Sequence, residues 1–162
     1  MILICDTREQ AGLEFPATHG VSVIRRMMPT GDYGAEVNGE MVKATVERKS
    51  VGDLFTNFSN NYENEKAKLM RAKELGWQYI LAIEAPCFEV RKGYEYRKDG
   101  VMVASKKSGL AQIRQLMTWQ AKYGVHVWWC QTKVEMAFMV MEYFLAWERL
   151  IKGGELEGKQ GG

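Results

Sequence analysis

Three consecutive charged residues, Glu47-Arg48-Lys49, close a stretch that reads as a β-strand. Side chains two apart on a strand share a face, so Glu47 and Lys49 point together and Arg48 points away. A carboxylate beside an ammonium suits phosphate chemistry. Glu47 is an oxygen ligand for a hard cation, and Lys49 can orient or activate a water or offset charge on a phosphate. Asp32 follows Gly31 at the start of the preceding strand, and Asp6 ends the first apolar run of the chain. Two or three converging carboxylates with a lysine point to Mg²⁺ rather than Zn²⁺, because Mg²⁺ takes oxygen ligands and keeps several waters.

These residues meet only if the elements that carry them meet. Ile2 to Cys5 is a short apolar run with the character of a buried strand. Val21 to Met28 reads as a second strand, broken by Pro29-Thr30-Gly31. Asp32 to Val37 and Met41 to Lys49 flank Asn38-Gly39, the preferred two-residue hairpin turn because both central positions need positive φ. The sequence therefore predicts that three antiparallel strands open the fold. A bulge or a longer loop in the hairpin would bring Asp32 and Glu47 together.

Further along, Ser50 caps one predicted helix, and a second runs from about Asn61 to Leu75, ended by Gly76. Tyr79 to Ala85 reads as a central strand. Tyr94 to Lys98 and Val101 to Val103 make a small surface hairpin about Asp99-Gly100. Ser108 to Tyr123 is an amphipathic helix, Val125 to Cys130 a strand, and Thr132 with Glu135 a capping box for the last helix. Strands early and alternation late predict an α/β fold of three layers, α/β/α, with a central mixed sheet. The expectation is one domain over residues 1–150 and a flexible Gly-rich tail over 151–162.

Composition narrows the function. A length of 162 residues suits one domain and leaves no room for a second large module such as a motor. With 46% hydrophobic and 26% charged residues, wholesale disorder is excluded. A net charge of +2 excludes a strongly basic coat but leaves room for a local basic face. The three cysteines are far apart and form no CxxC pair, which argues against a zinc knuckle or disulfide framework and for a reducing compartment. The N-terminus lacks the charged lead and apolar region of a signal peptide. Met136 to Trp147 contains Glu142 and falls short of the roughly 20 residues that span a bilayer. A soluble cytoplasmic or nucleoid-associated protein is expected.

Taken together, Asp6-x-Arg8-Glu9, Gly31-Asp32-Tyr33 and Glu47-Arg48-Lys49-Ser50 followed by Asp53 resemble the nuclease domain of the XPF/Hef family of structure-specific endonucleases, within the PD-(D/E)XK superfamily. The resemblance covers about residues 1–150, most closely to residue 85. It implies a restriction-endonuclease-like fold and a Mg²⁺-dependent endodeoxyribonuclease, with Mn²⁺ as a substitute ion. It also implies that Asp32 and Glu47 are the main metal ligands, joined by the backbone carbonyl of Arg48, with Asp6 supporting the metal or a second ion. Lys49 would be the catalytic lysine, and Arg8, Glu9, Arg48 and Asp53 match positions needed for activity. The substrate would be branched, flap or fork DNA with single-strand/double-strand junctions, met in repair, replication or recombination. Family members usually add helix-hairpin-helix units, and some a helicase. This sequence shows neither, which implies a minimal form, viral or bacterial, or one that relies on a targeting protein. The rival readings are a non-catalytic DNA-binding module of the same fold and a junction-resolving nuclease of the same superfamily.

Several residues also have ordinary readings. Asp53, three residues after the Ser50 cap, suits the helix dipole as well as an active site. Arg8-Glu9 alone reads as a surface ion pair. His19 and His126 stand alone and read as surface or packing residues. The last helix, from Met136 to Trp147, is apolar almost all round, which fits either a core helix or, as the resemblance favours, a homodimer interface. Lys66, Lys68, Arg71 and Lys73 crowd one helix, and Arg91-Lys92, Arg97-Lys98 and Lys106-Lys107 flank the surface hairpin. They read as a solvated face or as phosphate grips. Tyr94 and Tyr96 read as strand packing or as platforms for unpaired bases, and region 86–109 is the expected place of substrate contacts.

Overall fold

The computed structural model describes residues 1–10 and 12–154, the side chains of 57–60 excepted. Seven strands form one mixed sheet: β1 (Ile2–Cys5), β2 (Ser22–Arg25), β3 (Tyr33–Val37), β4 (Glu40–Met41), β5 (Ala44–Lys49), β6 (Gln78–Ile83) and β9 (His126–Trp129). The spatial order is β2-β1-β3-β5-β6-β9, with β4 paired to β3. Helices α1 (Val51–Asn60), α2 (Tyr62–Glu74) and α4 (Gly109–Tyr123) cover one face, and α5 (Lys133–Lys152) covers the other. The expected three-layer α/β arrangement is the one observed.

Strand alternation sorts the core into these two faces. On β6, Ile80 and Ala82 pack with Met136, Val140 and Phe144 of α5. Tyr79, Leu81 and Ile83 pack on the other side with Leu54, Leu69 and Trp119. β6 is buried on both faces and runs parallel to β5 and β9, so its sequence is a continuous apolar run rather than an alternating one. No helix among the described residues is long and apolar enough to cross a membrane.

The opening strands depart from the expectation. β3 is antiparallel to β1, but β2 pairs parallel with β1, in register Ile2↔Ser22. The chain between Cys5 and Ser22 is long enough to carry the crossover that a parallel pair needs. It is pinned where the buried Tyr33 hydroxyl accepts a hydrogen bond from the Leu13 N–H at 2.9 Å. The second strand is also shorter than Val21 to Met28, because Asp6 takes the Met28 N–H at 2.6 Å.

The Asn38-Gly39 turn forms as expected, with φ of 54° and 86°. The returning strand is split: β4 ends at Met41 and β5 starts at Ala44. Val37↔Glu40 and Glu36↔Met41 keep the register of a two-residue turn, which would set Thr45 opposite Asp32. The break at Val42-Lys43 shifts the pairing to Tyr33↔Val46. Continued one step, that register sets Glu47 opposite Asp32, and a shift of two residues leaves every side chain on its own face.

A short helix, α3 (Cys87–Lys92), precedes the exposed hairpin of β7 (Glu95–Lys98) and β8 (Val101–Ala104) and was not signalled by periodicity. α5 runs through Lys152, so residues 151 and 152 of the expected tail are helical, and 155–162 lie outside the described residues. On α5, Met136, Ala137, Val140, Met141 and Phe144 are core, while Val134 and Phe138 are exposed.

Candidate active site

Asp32 is held by its backbone before its side chain does anything. Its N–H donates to the Val46 carbonyl at 2.9 Å, and its carbonyl accepts from Asp6 N–H at 2.8 Å. Asp32 is thereby clamped between the ends of β1 and β5. The turn leading to it is fastened from below. Thr45 Oγ1, buried on β5, lies 3.0 and 3.1 Å from the carbonyls of Thr30 and Tyr33. Thr30 Oγ1 donates to the Lys68 carbonyl at 2.9 Å, and Arg71 donates to the Pro29 carbonyl at 2.9 Å, so α2 holds the same turn. Gly31 has φ 76°, and a Cβ there would fall 1.9 Å from Thr45 Oγ1, so only glycine fits.

The side chain of Asp32 replaces a ladder acceptor: its Oδ2 takes the Arg48 N–H at 2.7 Å. The N–H and C=O of one strand residue point to the same edge, so the Arg48 carbonyl also projects past the end of β3 toward Asp32. Burial, reinforced by the neighbouring Glu47 carboxylate, pushes the Asp32 carboxyl up to about 8. Glu47 is 1% exposed. One of its oxygens, Oε1, accepts from Lys49 Nζ at 2.7 Å and from Lys68 Nζ at 2.5 Å. The other, Oε2, is buried with no hydrogen-bond partner. A buried, unsatisfied carboxylate oxygen beside a second carboxylate is an environment that a cation completes.

Lys49 shares the face of Glu47, as alternation requires, and its ammonium also reaches Glu65 of α2 at 2.9 Å. Burial opposes its charge, but Glu47 and Glu65 more than offset this and hold Lys49 well above the ordinary lysine range. Arg48, on the opposite face, pairs with Glu84 at 2.6 Å and with Glu9 at 3.6 Å. Arg8 and Glu9 are therefore not partners of each other. Arg8 forks onto Asp6 at 2.7 and 2.9 Å and reaches the Met28 carbonyl at 2.8 Å.

Both Asp6 oxygens are thus engaged: Oδ1 by the backbone and side chain of Arg8, Oδ2 by Arg8 and Met28 N–H. Burial pushes this carboxyl up, but the Arg8 and Met28 hydrogen bonds outweigh it and hold Asp6 below the usual carboxylate range. Asp53 lies apart, exposed at the start of α1, where it accepts from Ser50 Oγ at 2.6 Å and donates its N–H to that oxygen at 3.1 Å.

Asp6, Arg8, Asp32, Glu47, Lys68 and Arg71 line one cleft of about 240 Å³ at the end of the sheet. Acids form its floor and cations its rim. Among the described residues, no three His, Cys, Asp or Glu side chains are grouped so as to hold a metal ion between them. The carboxylates that line the cleft are Asp6, Asp32 and Glu47, and both oxygens of Asp6 are already engaged.

Glu65, Thr45 and Glu84 are the partners that sequence reasoning missed. Only Glu65 left a signal: an acid standing in the inward stripe of α2, with Leu69 and Ala72 at i+4 and i+7.

A mixed α/β sheet with acids and a lysine at one strand end defines a broad class of enzyme-like folds. Within it, the chain belongs to the ERCC4 domain family, whose model matches residues 5–142. Two solved structures share the fold. XPF from Aeropyrum pernix is 19% identical with a TM-score of 0.62, covering 96% of this chain and 69% of that one. XPF from Aeropyrum pernix in complex with DNA is 18% identical with a TM-score of 0.60, covering 91% and 65%. No curated protein matches.

Proposed function

We propose that the protein is a metal-dependent structure-specific DNA endonuclease that hydrolyses phosphodiester bonds in branched, flap or fork DNA. One observation carries this reading: Asp32 and Glu47 line one cleft, Glu47 is buried and paired with the buried Lys49 at 2.7 Å, and all three fall inside the matched ERCC4 domain. The DNA complex of the structurally similar XPF from Aeropyrum pernix supports DNA as the partner.

Asp32, Glu47 and the Arg48 carbonyl would hold the ion, with Mg²⁺ the first choice and Mn²⁺ a substitute. The orphaned Glu47 Oε2 is the feature that suits it. When bound, the ion supplies charge compensation on the phosphate and lowers the pKa of a coordinated water. Lys49, locked by Glu47 and Glu65, presents its ammonium beside the scissile phosphate, where it orients the attacking water and offsets negative charge. Arg8 and Arg71 on the rim grip neighbouring phosphates. Asp6 acts by fixing Arg8 and the Met28 loop.

A second copy would cover the exposed Val134 and Phe138 of α5 and Leu110 and Met117 of α4, the two helices that flank the edge strand β9. A homodimer would serve cytoplasmic DNA repair, replication or recombination, with a targeting protein where duplex contacts are wanting.

The test uses purified protein with fork, flap, nicked and plain duplex DNA, with Mg²⁺, Mn²⁺ or chelator. Cutting of junction DNA in either metal, none in chelator, and none by Asp32→Asn is expected. Asp32→Asn keeps the shape of a carboxyl that holds its proton up to about pH 8 in the metal-free protein, so the variant folds and its DNA binding persists. DNA bound but never cut by the wild type favours the non-catalytic rival.

A further inference from the structure

The β7–β8 hairpin carries a feature that the phosphodiester site does not use. Three rings stack in series. Phe55 and Tyr94 lie 5.7 Å apart at 21°, and Tyr94 and Tyr96 lie 6.1 Å apart at 18°. The series leads outward, from Phe55 at 2% exposure, through half-buried Tyr94, to Tyr96 at 38%. Packing explains its first two members, since Tyr94 on Phe55 fastens the hairpin to α1. Among the described residues nothing covers the outer part of Tyr96.

Alternation puts Tyr96 and Lys98 on one face of β7, in line with Tyr94 just before the strand. The register sets Val103 opposite Tyr96 and Val101 opposite Lys98, and Val101 is 64% exposed. A lone two-stranded hairpin is only marginally stable in water, so one with an exposed aromatic face gains from a ligand. The charge of the segment selects that ligand. Residues 87–107 hold six Lys and Arg against three acids, net +3, whereas the whole chain is +2. The position is also suitable. The Tyr94 hydroxyl lies where a Cβ on Gly52 would meet it at 2.9 Å. Gly52 is three residues beyond Lys49, a span of at most about 11 Å.

We propose that Tyr96 is a stacking platform for an unpaired base, and that the hairpin guides a single strand into the cleft. The inference rests on the nuclease reading of that cleft. Bases in a duplex are already stacked on their neighbours, so the platform discriminates single-stranded from double-stranded DNA, while the surrounding cations attract both.

The experiment measures binding in chelator, where nothing is cut, using labelled single-stranded DNA and a blunt duplex of equal length. Tyr96→Ala is expected to weaken single-strand binding at least about fivefold and to leave duplex binding within about twofold. Tyr96→Phe keeps the ring and should bind as wild type. A 2-aminopurine base in the single strand should be quenched by wild type and by Tyr96→Phe but not by Tyr96→Ala. Four results would each overturn the platform: no single-strand binding by wild type, equal loss on both DNAs, no loss in Tyr96→Ala, or equal loss in Tyr96→Phe. The last would indicate a hydroxyl contact instead. Fork cleavage in Mg²⁺ is scored separately. A wild type that binds in this pattern but never cuts refutes the nuclease reading alone. One that cuts while Tyr96→Ala binds normally refutes the platform alone.

Discussion

Lys49 and Glu65, 16 residues apart in the chain, meet at 2.9 Å with their side chains only 5% and 6% exposed. The pair joins β5 to α2 and gives the Lys49 ammonium a second anchor besides Glu47. Removing one partner of a buried pair leaves an uncompensated charge and costs about 3–5 kcal/mol. Glu65→Ala should therefore destabilise the protein by about 3 kcal/mol in urea unfolding. Glu65→Gln keeps a hydrogen bond and should fold, but with Lys49 drawn toward Glu47. Displacing a reacting group by about 1 Å can cost roughly a hundredfold, so fork cleavage by Glu65→Gln should fall at least tenfold. Wild-type stability in Glu65→Ala together with wild-type cleavage in Glu65→Gln would show that Glu65 does not position the lysine.

Gly31 is expected to tolerate no side chain. Its φ is 76° and the Thr45 hydroxyl fills the space of a Cβ. Gly20 has the same φ with nothing within 4 Å, so it isolates the backbone contribution. Gly20→Ala should cost about 1 kcal/mol and Gly31→Ala at least about 2 kcal/mol more, with loss of cleavage because Asp32 is carried on that turn. Thermal melts of the two variants give the comparison. Equal losses would mean that the turn yields to the methyl group.

Much of this site was legible because strand alternation is a rigid rule. Glu47 and Lys49 had to share a face, and Arg48 had to leave it. The Asn38-Gly39 turn and the Thr132 and Ser50 caps announced themselves by residue type. What failed was long-range. The parallel docking of β2 depends on where a crossover loop is pinned, and Tyr33 does the pinning from 20 residues away. The register break at Val42-Lys43 has no marker such as Gly or Pro, although it brings Glu47 opposite Asp32. Glu65 reads on paper as one more charge on a charged helix, and only its place in the Leu69-Ala72 stripe sets it apart.

Lys68 sits 2.5 Å from Glu47 Oε1, with its side chain 37% exposed. An ammonium tethered there competes with any divalent ion for the same carboxylate. Lys68→Met keeps the stem over the core and removes the charge. Mg²⁺ or Mn²⁺ should then bind about fivefold more tightly by calorimetry, which corresponds to about 1 kcal/mol for a partly exposed ion pair. Unchanged or weaker ion binding would show that Lys68 does not compete for Glu47.

Asp32 gives the metal-free protein a distinctive pH response. Its carboxyl is pushed up to about 8 in the folded chain, first by burial and then by Glu47, against an ordinary value of 3.8. Between those values the native state keeps a proton that the unfolded chain has lost. The native state binds more protons there, so stability falls as pH rises through the window and levels off above about 8. Asp32→Asn cannot lose that proton and lacks this slope. In chelator, wild-type Tm should drop between pH 5.5 and 8.5 by at least about 5 °C more than that of Asp32→Asn, at about 2–4 °C per kcal/mol for a chain of this size. Titrating groups away from the Asp32–Glu47 pair act on both proteins alike, so the difference isolates that pair. Mg²⁺ added at pH 8.5 should restore wild-type Tm, because an ion bound only by the folded state stabilises it, and should leave Asp32→Asn nearly unmoved. Parallel Tm curves for the two proteins would show that Asp32 ionises normally and that the carboxylate pair is not strained.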